Sequence, residues 1–98
     1  MERSYVIRTL RQHEKELKDA GILHLRLFGS LGRNEGVETS DVDLLAEFDN
    51  SKRLSLVKVG RLQMRLSELL GAEVDLSSAD WMREPIRSRA LSEAVLAF

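Results

Sequence analysis

The chain contains no cysteine, a single proline and few aromatic residues, and none of its apolar runs is long enough to cross a bilayer. Without cysteine it can form neither disulfides nor thiolate metal sites, which fits a reducing compartment. The first residues, 1–5, also lack the apolar segment of a signal peptide. We therefore expect a cytoplasmic protein with no membrane partner.

An excess of one charge is also missing, because 15 basic residues stand against 16 acidic ones, for a formal net charge of -1. A chain balanced in this way does not draw in DNA or RNA by long-range attraction, and we expect no direct nucleic-acid partner. The length of 98 residues and the hydrophobic content of 43% suffice for one small core. Residues 1–98 are accordingly expected to form a single domain.

Hydrophobic periodicity predicts the secondary structure. Apolar residues at helical spacing predict helices over 4–20 and 53–70, ended by Gly21 and Gly71. Short apolar runs predict strands over 23–28, 42–48 and 73–76, residues 32–36 are expected to form a short helical turn and a loop, and Pro85 suits the first turn of a final helix running to Ala97. This order predicts an α/β (α+β) fold with a small mixed sheet of three or four strands flanked by helices.

Three aspartates on the predicted strands indicate a metal site. Asp41 and Asp43 are two residues apart and therefore project from the same face of a strand, and Asp75 lies on the third predicted strand. If these strands are neighbours, the carboxylates repel one another by about 4 kcal/mol per pair at 4 Å and an effective dielectric near 20. A divalent cation removes that cost, and oxygen ligands favour Mg²⁺ or Mn²⁺.

A glycine and a serine end the first predicted strand. Gly29 and Ser30 suit a turn whose free backbone N–H groups could hold phosphate, and Ser30 could equally cap a short helix. A nucleoside triphosphate would use this turn and complete the coordination of the metal.

These motifs together resemble a known family. The segments Phe28-Gly29-Ser30, Ser40-Asp41-Val42-Asp43-Leu44 and Val74-Asp75-Leu76 look like the nucleotidyltransferase superfamily that includes DNA polymerase beta. The length is similar to its minimal nucleotidyltransferase branch, which is commonly the antitoxin of a HEPN-domain toxin. Where that family usually reads Gly-Ser-x-Ala-Arg-Gly, this chain keeps the arginine as Arg33 but has Gly32 and Asn34 beside it.

The resemblance implies a nucleotidyltransferase fold and a two-metal transfer of AMP from ATP, with two Mg²⁺ ions or Mn²⁺ in their place. By this resemblance Asp41 and Asp43 hold the metal on the triphosphate, and Asp75 binds the second metal and helps to deprotonate the acceptor. Gly29 and Ser30 cradle the β- and γ-phosphates, with Arg33 as a further phosphate contact. The acceptor it implies is a hydroxyl, expected to be a tyrosine of a HEPN toxin.

Two other functions remain open at this stage. The chain could neutralise a toxin by binding alone, or it could adenylylate a small molecule such as an antibiotic, although enzymes of that kind generally carry an additional helical domain. A homo-oligomer is compatible with either function. Arg33 could also be an ordinary surface residue or the partner in a salt bridge.

Several other side chains have structural interpretations. His13 and His24 have no second histidine at ligand spacing and are expected to be structural, and Glu47 is expected to lie outside the metal ligands. Trp81 and Met82 are expected to close the core, although an exposed Trp81 would suit a partner anchor. Three arginines form a basic patch, interpreted as a solvated face or a docking site for an acidic partner: Arg83, Arg87 and Arg89.

Overall fold

A computed structural model describes residues 2–29 and 41–98 of the chain. Ser30, Arg33 and the turn predicted over 32–36 lie outside these residues. The helices are α1 (Arg3–Gln12), α2 (Glu14–Asp19), α3 (Leu56–Leu70) and α4 (Ile86–Glu93), with short 3₁₀ turns at Asn50–Lys52 and Ala79–Trp81. The strands are β1 (Ile22–Phe28), β2 (Val42–Phe48), β3 (Val74–Ser78) and β4 (Val95–Leu96).

The four strands form one mixed sheet in the order β3-β2-β1-β4. β1 pairs antiparallel with both β2 and β4, whereas β2 and β3 run parallel. A parallel pair needs a crossover connection, and α3 supplies it. The predicted class, a small mixed sheet flanked by helices, is confirmed.

The two faces of the sheet pack differently. The first face carries the larger core, in which α1, α2 and α3 bury leucines such as Leu10, Leu17 and Leu66 against β1, β2 and β3. On the second face a smaller cluster joins Leu45 to Ala79 and Ala90. Because side chains alternate along a strand, the residues of β2 on either side of Leu45 in sequence belong to the first face. The second face is therefore the more open one.

The outer edge of β3 is protected by side chains of α3. Ser67 Oγ accepts a hydrogen bond of 3.1 Å from the backbone N–H of Val74, and Gln63 Oε1 accepts one of 3.0 Å from that of Leu76. Unpaired N–H groups on an edge strand invite pairing with another chain. These two contacts satisfy them within the molecule.

The predicted N-terminal helix is divided in two. His13 has φ -108° and ψ 16°, outside the helical region, and separates α1 from α2. Leu10 and Leu17 are nevertheless both fully buried, and they are seven residues apart, the spacing of two helical turns. Because the hydrophobic period continues across the break, the sequence pattern could not reveal it.

The prediction of a final helix running to Ala97 was wrong. α4 ends at Glu93, and Val95 and Leu96 form β4, which pairs with Leu27 and Arg26 of β1. The Arg11 side chain of α1 donates a 2.7 Å hydrogen bond to the Ala97 carbonyl. Pairing with β1 and anchoring to α1 are long-range interactions that override the local preference for helix.

The helix predicted over 53–70 begins later than expected. Arg53 has φ 43°, and Ser55 caps the helix by accepting a hydrogen bond from the Lys58 N–H at 3.2 Å. Leu56, the first residue of α3, is 82% exposed, and the buried residues of the helix begin at Val59. In the described ranges, no helix combines the length and the apolar character that a bilayer span requires.

Candidate active site

Two of the three predicted acidic residues are direct neighbours in the sheet. Asp43 of β2 and Asp75 of β3 are paired in the parallel register. Paired residues of neighbouring strands project from the same face, about 4.8 Å apart along the hydrogen-bonding direction. This is the second, open face, because Val42 and Leu44 on either side of Asp43 belong to the larger core.

The third acidic residue lies beside this pair. Asp41 is exposed and immediately precedes β2, two residues before Asp43. Burial of the Asp43 carboxyl raises its pKa, and the negative charges of Asp75 and Asp41 raise it further. No basic side chain in the described part of the chain offsets this effect on Asp43. The site therefore gathers negative charge that a cation from outside the chain would neutralise.

Gly29 makes a close approach that no other residue could make. Its φ of 70° lies in the left-handed region, and a Cβ built on it would lie 2.5 Å from Asp43 Oδ2. Phe28, the preceding residue, pairs with Asp43 across β1 and β2. The end of β1 is thus placed against the carboxylate, and any side chain at position 29 would displace it.

An ion pair keeps another acid of β2 out of this group. Glu47 lies on the same face as Asp43, but its Oε1 receives a 2.6 Å contact from Arg26 Nη1. The Glu47 carboxylate is thereby paired with Arg26 within the chain. Sequence reasoning did not identify Arg26 as its partner, because a bulge in the β1–β2 pairing between Ile22 and His24 sets the register.

The donor set fits a hard divalent cation. Asp41, Asp43 and Asp75 offer oxygen ligands only, which suit Mg²⁺ or Mn²⁺. Within residues 2–29 and 41–98, no three acidic or histidine side chains already converge closely enough to bind a metal. Ligation by all three aspartates therefore requires their side chains to turn toward a common point.

The remaining predicted residues lie away from this group. His13 Nδ1 lies 3.5 Å from Glu16 Oε1, and His24 Nδ1 lies 3.2 Å from the Phe98 carbonyl. Met82 packs against the smaller core, whereas Trp81 is 56% exposed, so the prediction that it closes the core was wrong. The arginines of the basic patch are exposed or half-buried: Arg83, Arg87 and Arg89.

Comparison with known proteins identifies the family. The family model of the nucleotidyltransferase domain matches residues 10–97. The chain belongs to the nucleotidyltransferase domain family. The matched range includes all three aspartates of the site as well as Gly29, Ser30 and Arg33.

Two relatives of similar sequence are named as protein adenylyltransferases. A Methanocaldococcus jannaschii chain named as a protein adenylyltransferase is 43% identical over 75 residues, covering 76% of this nucleotidyltransferase and 78% of that relative. The protein adenylyltransferase MntA of Thermococcus cleftensis is 38% identical over 87 residues, covering 88% of this chain and 86% of MntA. The nucleotidyltransferase is thus similar in length to both.

Solved structures confirm the fold. A structure described as a minimal nucleotidyltransferase superposes with a TM-score of 0.83 at 30% identity, covering 97% of this chain and 95% of the other. A toxin–antitoxin structure with AMP-PNP superposes with a TM-score of 0.70 at 18% identity, covering all of this chain and 73% of the other, and at that identity it supports the fold alone. The chain is an enzyme of the nucleotidyltransferase class, as predicted.

Proposed function

We propose that this nucleotidyltransferase is an antitoxin that transfers AMP from ATP to a tyrosine hydroxyl of a HEPN-domain toxin. The observation that carries the proposal is the pairing of Asp43 with Asp75 on the open face of the sheet, beside Asp41 and against Gly29. The relatives named as protein adenylyltransferases support AMP as the transferred group and a protein as the acceptor. The likeness of fold to toxin–antitoxin structures is consistent with a toxin as that protein.

In this proposal Asp41 and Asp43 would hold Mg²⁺ at the triphosphate. When bound, the ion would offset the charge of the phosphate oxygens and so favour departure of pyrophosphate. Gly29 leaves its backbone free to approach the triphosphate, and Ser30 and Arg33 contact the β- and γ-phosphates. Burial and the charges of Asp75 and Asp41 raise the pKa of Asp43. A bound cation would act in the opposite direction and favour the ionised carboxylate.

Asp75 acts on the acceptor. The tyrosine oxygen attacks the α-phosphorus, its bond to phosphorus forms as the bond to the β-phosphate bridging oxygen breaks, and pyrophosphate leaves. The proton of the hydroxyl passes to the Asp75 carboxylate, which is exposed on β3 and so reachable by a protein acceptor. Asp75 would also be a ligand of the second Mg²⁺ ion.

The experiment follows a radioactive label. The chain is incubated with ATP labelled at the α-phosphate, Mg²⁺ and a candidate HEPN-domain toxin, and labelled protein is detected after electrophoresis. The matched variant is Asp43→Asn, which preserves shape and removes the charge. We expect label on the partner with the native chain and at least a roughly 100-fold slower transfer with the variant, since an essential ligand is lost.

Other outcomes identify the alternatives. Absence of label on any protein, with Asp43 intact, contradicts the enzymatic proposal. If toxin activity is then still suppressed by the Asp41→Asn/Asp43→Asn variant, the chain neutralises by binding alone. Label appearing on an aminoglycoside but not on protein would instead establish a small-molecule acceptor.

A further inference from the structure

A groove of about 650 Å³ lies between α2 and α3, on the helical side of the sheet and away from the aspartates. Its floor is apolar and is formed by Ala20, Leu54 and Leu62. Its rim carries four basic residues and two acidic ones: Lys52, Lys58, Arg61, Arg65, Glu16 and Asp19. An apolar floor with a positive rim distinguishes this groove on a chain of net charge -1.

Contacts within the chain engage two of the four cations. Arg65 bridges to Glu16 through contacts of 2.7 Å from Nε and 3.2 Å from Nη2. Lys52 Nζ donates a 3.0 Å hydrogen bond to the Asp19 carbonyl. The first contact joins α2 to α3, and the second joins α2 to the 3₁₀ turn at Asn50–Lys52. Together they hold the two sides of the groove.

The other two cations make no such contact. Among the hydrogen bonds and ion pairs of the described residues, none involves the side chain of Lys58 or Arg61. Both are exposed, and they are three residues apart on α3, so their Cα atoms are separated by one turn on one side of the helix. The rim therefore presents two adjacent positive charges to solvent.

The position of Lys58 is unfavourable for the helix itself. It lies in the first turn of α3, which has no acidic residue, three residues after the capping Ser55. The N-terminus of a helix carries partial positive charge and favours Asp or Glu there. A residue that is unfavourable for its own helix and makes no compensating contact is expected to have a functional role. The helix end and Lys58 together concentrate positive potential at this end of the groove.

We infer that this groove binds an acidic amphipathic helical segment of a partner protein. One apolar side chain of that segment rests on Leu54 and Leu62, and carboxylates one helical turn apart meet Lys58 and Arg61. The groove is open to solvent along its length, and a small ligand would bury too little of its surface in it. A second copy docked through the same groove would bring like charges together. The inference does not depend on the proposed enzymatic activity.

The test is a selection from random peptides. A phage library of peptides about 12 residues long, roughly three helical turns, is selected on the native chain alone, and the affinities of the retained peptides for the native chain and for Lys58→Glu/Arg61→Glu are then measured by fluorescence anisotropy. We expect the retained peptides to carry Asp or Glu around an apolar residue. Their affinity should fall about 10-fold or more in the variant, because two exposed charge pairs become repulsive.

A charge exchange makes the result specific. Peptides with Lys in place of Glu should bind the variant more tightly than the native chain. The matched control, Arg83→Glu/Arg89→Glu, reverses two exposed charges elsewhere and should leave affinity within about 2-fold. Circular dichroism verifies that the variant folds, which we expect because the change Lys58→Glu completes a capping box with Ser55.

Three results would overturn the inference. If the selection yields no peptide, or only peptides without acidic residues, the groove does not recognise this chemistry. Equal affinity of the native chain and the charge-reversed variant would place the binding elsewhere. Binding of a single-stranded RNA of about 16 nucleotides that is lost in the variant, with no peptide retained, would assign the groove to nucleic acid.

Discussion

Replacing Gly29 with alanine tests the geometry of the site most economically. The added Cβ meets two obstacles, a φ of 70° and a separation of 2.5 Å from Asp43 Oδ2. The left-handed backbone costs an L-residue about 1–2 kcal/mol. Relief of the contact costs about 1 kcal/mol more and moves the Asp43 carboxylate away from its position. We expect a loss of about 2–3 kcal/mol in the free energy of unfolding.

Gly71 provides a matched control in the same chain. Its φ is 66°, and a Cβ there would meet no atom within 4 Å. Gly71→Ala therefore carries the backbone cost alone, and each kcal/mol lowers the melting temperature by roughly 4–8 °C in a domain of this size. Urea unfolding of both variants separates the backbone cost from the contact with Asp43.

Activity distinguishes the two substitutions further. Displacement of a reacting or ligating group by about 1 Å can cost about 100-fold in rate, so Gly29→Ala should lose AMP transfer by that order. Gly71→Ala should remain within about 2-fold of the native rate, because it lies at the end of α3 and away from the aspartates. Equal stability and equal activity in both variants would refute the close approach of Gly29 to Asp43.

Three further substitutions follow from the same structure. Asp43→Asn should raise the free energy of unfolding at neutral pH without metal, because the raised pKa of Asp43 shows that its ionised form is unfavourable in the folded chain. The difference in unfolding free energy between variant and native chain should shrink as the pH falls to the ordinary aspartate pKa of 3.8, and urea unfolding across pH measures it. Gln63→Leu leaves the Leu76 N–H without its acceptor and should cost about 1–2 kcal/mol in thermal unfolding, and an unchanged melting temperature would contradict this. Lys58→Glu should stabilise the chain by about 0.5–1 kcal/mol through a capping box with Ser55, a gain that calorimetry would detect and that Lys58→Gln should largely lack.

Sequence patterns predicted the elements that depend on local periodicity. β2 has the expected bounds, and α3 ends at Gly71 as expected, because its apolar stripe and its glycine cap are local signals. β4 was not predicted, since two residues carry no periodicity and its formation depends on the free edge of β1. The break at His13 was hidden by a hydrophobic period that passes through it.

The residues of the site likewise fall into those predicted from spacing along the chain and those whose contacts depend on strand pairing. The placement of Asp41 and Asp43 follows from the two-residue period of a strand, and Asp75 was expected beside them if the strands were neighbours. The structure makes Asp43 and Asp75 register partners. The approach of Gly29 to Asp43 depends on how β1 pairs with β2, which spacing along the chain does not determine. The contact between Arg26 and Glu47 depends on the same pairing.

The central claim is that aspartates of β2 and β3 gather a divalent cation and a triphosphate beside Gly29. Its most direct test is an NMR titration of the chain with AMP-PNP and Mn²⁺, whose unpaired electrons broaden nearby backbone amide signals. We predict broadening centred on Asp43, Asp75 and Gly29, absent with Mg²⁺ and lost in Asp41→Asn/Asp43→Asn. Broadening centred on Lys58 and Arg61, or none at saturating nucleotide, would contradict the account.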